Sequence, residues 1–118
     1  MSRRTQRVSD LIRQQLGDLL LAEVRDPRVQ LATVSTVEVT GDLSKAKIRI
    51  SVLGPSDEDR EACVEALQHA SGFLRSRLAS RLRLRITPEL SFELDRGAEH
   101  AQKITRLLEA VDEQRKST

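Results

Sequence analysis

Arg75, Arg77, Arg81, Arg83 and Arg85 crowd one short stretch, and no acidic residue lies between Glu65 and Glu89. Guanidinium groups bind phosphate oxygens through charge-assisted, often bidentate hydrogen bonds, and a cluster of them is the electrostatic footprint of a polyanion site. A solvated helix face is the plainer reading of such a run. Here the carboxylates that would pair each arginine along a helix are missing, so contact with nucleic-acid phosphates is favoured. Each phosphate neutralised would steepen the salt dependence of binding. Lys45, Lys47 and Arg49 form a second basic set at alternate positions. Acids on a neighbouring strand could neutralise it, and both outcomes stay open. Arg3, Arg4 and Arg7 form a third set, before or at the start of the first helix, where cations oppose the helix dipole. A flexible arm that orders on RNA and a plain solubility tail both account for them.

Nothing comparable supports catalysis. Asp57, Glu58, Asp59 and Glu61 sit at a predicted helix N-terminus, which attracts carboxylates electrostatically, and no metal-binding partner set accompanies them. His69 and His100 are remote in sequence from each other, and the single cysteine, Cys63, falls on an apolar stripe as a core filler, so neither a metal site nor a disulfide is expected. There is no glycine-rich phosphate loop and no triad spacing. An RNase or other hydrolase therefore lacks the residues it needs, and no catalytic residue, cofactor or small-molecule substrate is expected. The chain has no Trp and no Tyr, and Phe73 and Phe92 both fall where the apolar pattern points inward. Recognition of single strands by exposed aromatic platforms is disfavoured on that reading.

The basic sets need elements to hold them, and hydropathy spacing supplies these. From Thr5 to about Val24, residues Val8, Leu11, Ile12, Leu16, Leu19 and Leu20 recur at helical spacing, with Thr5 as N-cap and Asp26-Pro27 as the stop. Leu31 to Thr40 is rich in Val and Thr, and the parity of Ala32 and Val34 differs from that of Val37 and Val39, which predicts a bulge near Ser35-Thr36. Gly41-Asp42-Leu43-Ser44 supplies a hairpin turn into a second strand, where Ala46, Ile48, Ile50 and Val52 alternate with Lys45, Lys47, Arg49 and Ser51.

Ser56 and Asp59, at capping-box spacing, open a helix whose inward stripe runs through Cys63, Ala66, Leu67, Ala70, Leu74, Leu78 and Leu82. Ala70-Ser71-Gly72 interrupts it, so the stretch reads as two helices joined by a tight kink. Gly72 either admits phosphate close to the backbone or only lets the helices turn. Leu84, Ile86, Leu90, Phe92 and Leu94 share one parity and form a third strand, which lies at an edge or begins past Pro88. A last helix from about Ala98 to Val111 places Ala101, Ile104, Leu107, Leu108 and Val111 inward, and residues 112–118 read as a short flexible tail.

With 118 residues the chain makes one domain, and burial of roughly 60% of its unfolded surface gives it a core without staples. Its net charge is only +2, so the placement of the cations matters more than their sum. The longest apolar run, Leu19 to Ala22, is too short for a membrane span, and a cytoplasmic location without membrane contact is expected.

The fold class is α+β, in the order helix, strand, strand, helix, kink, helix, strand, helix, with a three-stranded sheet covered by helices on one face. That order is similar to a type II KH domain. Six segments resemble bacterial ribosome-binding factor A: Asp26-Pro27-Arg28, Val37-Glu38-Val39-Thr40, Asp42-Leu43-Ser44-Lys45-Ala46-Lys47, Ser51-Val52-Leu53-Gly54, Ala70-Ser71-Gly72-Phe73-Leu74-Arg75 and Pro88-Glu89-Leu90-Ser91-Phe92. The likeness runs from about Arg3 to Leu108.

The resemblance implies a non-catalytic assembly factor that binds free 30S particles and assists late maturation of 16S rRNA, including processing at its 5′ end, with a link to growth in the cold. It also implies an Ala-x-Gly kink, here Ala70-Ser71-Gly72, in place of the KH Gly-x-x-Gly loop. That replacement argues against sequence-specific gripping of a four-nucleotide single strand. On this reading residues 1–111 form a monomeric RNA-binding domain, and rRNA is engaged by Arg3, Arg4, Arg7, Lys45, Lys47, Arg49, Ser71, Gly72, Arg75, Arg77, Arg81, Arg83 and Arg85. The competing expectation is a homodimeric or protein-binding α+β module that pairs through an exposed strand edge.

Overall fold

The computed structural model describes residues 2–24, 27–29, 32–54, 56–97 and 106–111. Helix α1, Arg3–Ala22, buries Val8, Ile12, Leu16, Leu19 and Leu20 along one line, while Leu11 lies at its exposed margin. Its N-cap is Ser2, whose Oγ accepts a hydrogen bond from the Thr5 amide at 3.2 Å. Thr5 is therefore not the cap. Its hydroxyl donates to the Ser2 carbonyl at 2.9 Å and is buried in the first turn. Arg3, Arg4 and Arg7 are consequently helical rather than an arm. A short 3-10 turn, Pro27–Val29, follows, and the expected stop at Asp26 lies outside the described residues.

Strands β1, Ala32–Val39, and β2, Lys45–Val52, form an antiparallel hairpin. Val34 pairs with Ile50 and Thr36 with Arg49, which leaves Ser35 as the extra residue of a bulge. The bulge restores Val37 and Val39 to the face that carries Val34, opposite Ile48 and Ala46. Ser35 in turn donates a hydrogen bond to the Asp95 carboxylate beyond the third strand. In the turn, Leu43 is buried with a left-handed backbone, φ 62°. Asp42 holds that turn: its Oδ1 accepts from the hydroxyls of Thr40 and Ser44, both at 2.7 Å, and from the Ser44 amide at 3.1 Å. Those bonds, the Thr40 hydroxyl foremost, draw the Asp42 pKa down to about 2.

Helix α2, Asp57–His69, is capped by Ser56 Oγ accepting from the Asp59 amide at 3.2 Å, and α3, Ser71–Leu82, follows after one residue. That residue, Ala70, with φ −87° and ψ 4°, ends one helix and begins the other. Cys63, Ala66, Leu67, Leu74 and Leu78 are buried as the stripe predicts. Burying each of the larger ones stabilises the fold by about 1.5–3 kcal/mol relative to exposure.

Strand β3, Glu89–Leu94, lies parallel to β2, so the helix pair is the crossover that a parallel pairing requires. The sheet order is β1-β2-β3, with α1, α2 and α3 packed over one face. Pro88 is fully buried and the strand starts just past it. Leu84 and Ile86, expected within the strand, precede it, because α3 ends at Arg83 in a left-handed conformation and Pro88 has no amide to give a ladder. Ile86 is exposed.

Two further expectations meet the structure here. At the outer edge of β3 the Phe92 amide donates to Gln68 Oε1 of α2 at 2.9 Å, which removes a group that a docking strand would need. Residues 106–111 are helical, yet Leu107, Leu108 and Val111 are exposed rather than inward. The covered face of the sheet is already occupied by α1, α2 and α3. Ala101, Ile104 and residues 112–118 lie outside the described residues.

Candidate nucleic-acid interface

Leu74 and Leu78 fix the inward line of α3, and the arginines stand on its flanks. Toward α1, Arg77 Nε lies 3.4 Å from Glu23 Oε2 and Arg81 Nη2 lies 3.7 Å from Glu23 Oε1. Arg81 also donates to Gln15 Oε1 at 3.5 Å. Glu23 is the C-cap of α1, where the helix dipole disfavours a carboxylate, and its buried Oε2 makes no hydrogen bond. The two arginines are what make that position tolerable. Partly exposed pairs of this kind contribute at most about 1 kcal/mol, so they exchange readily for a phosphate.

On the other flank, Arg75 donates through Nε and Nη2 to the Thr87 carbonyl at 3.1 and 3.0 Å. A carbonyl carries no net charge, so this brace leaves the Arg75 cation unneutralised. Arg83 and Arg85 are exposed, and no carboxylate among the described residues pairs with them. Among the described residues these five guanidinium groups thus meet one acid, Glu23, which pairs with Arg77 and Arg81.

The outer ridge of α3 is small and open. Gly72, Phe73, Ser76 and Ser80 are exposed, and the Arg77 guanidinium lies 5.1 Å from the centroid of the Phe73 ring. Phe73, at 46% exposure, does not face inward as the apolar pattern suggests. Leu74 and Leu78 continue the stripe of Cys63, Ala66 and Leu67 across Ala70, which leaves Phe73 at its exposed margin. Gly72 has no left-handed backbone, and a Cβ built on it meets nothing within 4 Å. The turn is made at Ala70. Glycine at 72 therefore costs helix stability, about 1 kcal/mol relative to alanine, without serving the kink. Ser71, half-buried, begins α3.

The sheet tells a different story. Across β2, Lys45 is registered against Glu89, Lys47 against Glu38 and Ser91, and Arg49 against Glu93. Arg49 Nε donates to Glu93 Oε1 at 2.8 Å, and its Nη1 lies 3.6 Å from Glu38 Oε1. The hydrogen bond to Glu93, followed by the charge of Glu38, pushes the Arg49 pKa up. The wet face of β2 is thus balanced by acids, and it is not the positive surface that its own sequence suggests.

Arg3, Arg4 and Arg7 are exposed at the start of α1, some 25–30 Å along the helix axis from Glu23. The fold does not bring them to the α3 cluster. Glu23, Gln15 and the outward Phe73 are the interface residues that sequence reasoning missed. The signal for Glu23 was present: a carboxylate in the last turn before Asp26-Pro27, against the dipole. Among the described residues no group of His, Cys, Asp and Glu could hold a metal ion, and no helix is long and apolar enough to cross a membrane.

Comparison with known proteins bears on this surface. The family model described as Ribosome-binding factor A matches residues 4–108. A relative of that name from Thiobacillus denitrificans is 44% identical over 108 residues, covering 92% of this chain and 86% of its own. The crystal structure of ribosome-binding factor A from Thermus thermophilus is similar with a TM-score of 0.67 at 27% identity, covering 76% of this chain and 94% of that one. A homology model of the Thermus thermophilus protein, fitted into the cryo-EM map of a 30S complex, is similar with a TM-score of 0.63 at 27% identity, over 75% of this chain and 91% of that one.

Proposed function

The chain belongs to the ribosome-binding factor A family, and from that premise we propose that it binds the free 30S subunit through the arginine-bearing surface of α3. Arg77, Arg81, Arg83 and Arg85 meet phosphates of 16S rRNA, while Arg75 adds charge from its brace on Thr87. Gly72 and Ser71 present bare backbone beside them. Arg3, Arg4 and Arg7 are a second, separate contact. Lys45 and Lys47 contribute little, and Arg49 belongs to the sheet.

The activity is binding, not catalysis. By holding an immature conformation of the subunit more tightly than the mature one, the protein assists late maturation and 5′ processing of 16S rRNA, since only differential affinity shifts such an equilibrium. It does so in the cytoplasm as a monomeric unit of residues 1–111, including during growth in the cold. The observation that carries this reading is that, of five clustered arginines, only Arg77 and Arg81 pair with a carboxylate among the described residues, and they share one, Glu23. The fitted Thermus thermophilus relative, in its 30S complex, supports it.

Gradient sedimentation of cell extract tests the assignment: the protein is expected with free small subunits and absent from 70S particles. Purified protein should also co-sediment with 30S particles more weakly as salt rises. If the Arg83→Glu/Arg85→Glu variant still co-sediments fully at low salt, the surface is wrongly assigned. The alternative, a homodimeric or protein-binding module, is left with the edge of β1, because Gln68 occupies the Phe92 amide on β3. Concentration-dependent light scattering and salt-insensitive 30S binding would favour it.

A further inference from the structure

We propose that Phe73 and Arg77 form a stacking site for one unpaired base of the RNA, beside the open backbone of Gly72. This deepens the reading above and rests on it.

The chain has two aromatic residues, and the kink turns one of them outward. Arg77 lies against the Phe73 ring, with its guanidinium carbon 5.1 Å from the centroid, and its Nε is held 3.4 Å from Glu23 Oε2. Ring and guanidinium therefore lie side by side on the exposed ridge, and each is a surface on which nucleobases stack. Gly72 has no Cβ and no atom within 4 Å of where one would stand, so a sugar and phosphate can approach the backbone next to a stacked base. Ser76, exposed one turn along, offers a hydroxyl to the same nucleotide.

The neighbouring charges select the ligand. An apolar protein segment would gain from Phe73 but not from Arg81, Arg83 and Arg85. An RNA duplex would satisfy the arginines, yet its bases are already stacked on one another. Only an unpaired nucleotide uses the ring and the cations together.

Because the chain has neither Trp nor Tyr, Phe73→Trp introduces a single indole reporter at the site. Its emission should be quenched by a single-stranded RNA oligonucleotide and left unchanged by the same backbone carrying abasic positions. In parallel, Phe73→Ala, checked for an unchanged circular dichroism spectrum, should weaken binding of the intact oligonucleotide roughly 5- to 100-fold and of the abasic one less than about twofold. Equal losses for both, or an indole that the intact oligonucleotide does not quench, would overturn the stacking site. The Arg83→Glu/Arg85→Glu variant separates the two levels of the reading. If it weakens binding of both oligonucleotides while Phe73→Ala weakens neither, stacking alone is wrong. If it weakens neither, the basic surface fails and the stacking site falls with it.

Discussion

On β2, Lys45, Lys47 and Arg49 stand at every second residue of the uncovered sheet face; on α3 and the residues after it, five arginines stand within two turns and a short exit. The sheet cations stand in register with Glu89, Glu38 and Glu93, and Arg49 pairs with the last two. Among the described residues the helix arginines meet Glu23 alone, through Arg77 and Arg81. A helix's nearest side-chain neighbours are its own residues three and four positions away, so an acid-free run gains a counter-ion only where another element packs against it, as α1 does with Glu23. A strand's neighbours come from other strands, and its charge is decided elsewhere in the chain. The two surfaces differ in charge balance because they differ in where their counter-ions originate.

That contrast can be broken. The largest effect is expected from Arg83→Glu/Arg85→Glu, which should lower 30S affinity at least about tenfold and reduce the slope of log K against log salt by roughly 1.5, measured by binding at several salt concentrations. Gly72→Ala should move two readouts in opposite directions. Stability in urea rises by about 0.5–1 kcal/mol, because the position is helical with space for a methyl, while 30S binding weakens about fivefold through the lost close approach. A Gly72→Ala variant with unchanged binding would return the glycine to a purely historical role.

Glu23→Gln should tighten 30S binding about threefold and steepen its salt dependence, because Arg77 and Arg81 lose their internal counter-ion. Lys45→Ala/Lys47→Ala should change binding less than about twofold, as charges already matched by register have little left to offer. Should this pair match the Arg83/Arg85 variant, the contrast drawn above collapses.

The smallest expected effect is in the hairpin turn. Asp42 is depressed to about 2 from an ordinary 3.8, so its stabilising contribution is complete above the ordinary value and is lost as pH falls through the folded one. Acid unfolding followed between about pH 4 and pH 2 should show a loss that Asp42→Asn abolishes.

Much of the fold was legible because the signals were local. The parity slip at Val34 and Val37 located the bulge at Ser35, the alternation of Ala46, Ile48 and Ile50 gave β2, and Ser56 gave the cap of α2. What failed depended on a competing local partner or on contacts between distant segments. Thr5 looked like a cap until Ser2 took that place and the Thr5 hydroxyl turned to the Ser2 carbonyl. Phe73 looked buried because its spacing from Ala66 and Ala70 is helical, but Leu74 and Leu78 hold the centre of that stripe and leave Phe73 at its margin. Glu23 pairs with residues more than fifty positions later, and Leu107, Leu108 and Val111 have an apolar spacing without a core vacancy to fill. The arginine run itself was readable in full, but its split into a braced Arg75, a shared pair at Glu23 and an open pair at Arg83 and Arg85 was not.

The parallel alignment of β2 and β3 carries one consequence for biosynthesis. A nascent chain can close the β1–β2 hairpin early, but β3 emerges only after the whole of α2 and α3, so the sheet gains its last member late. Until Thr87 has left the ribosome, Arg75 has no carbonyl to grip and α3 is not pinned to the sheet. The seating of α3 on the sheet therefore follows the closing of the β1–β2 hairpin and waits for the segment that carries Thr87 and β3.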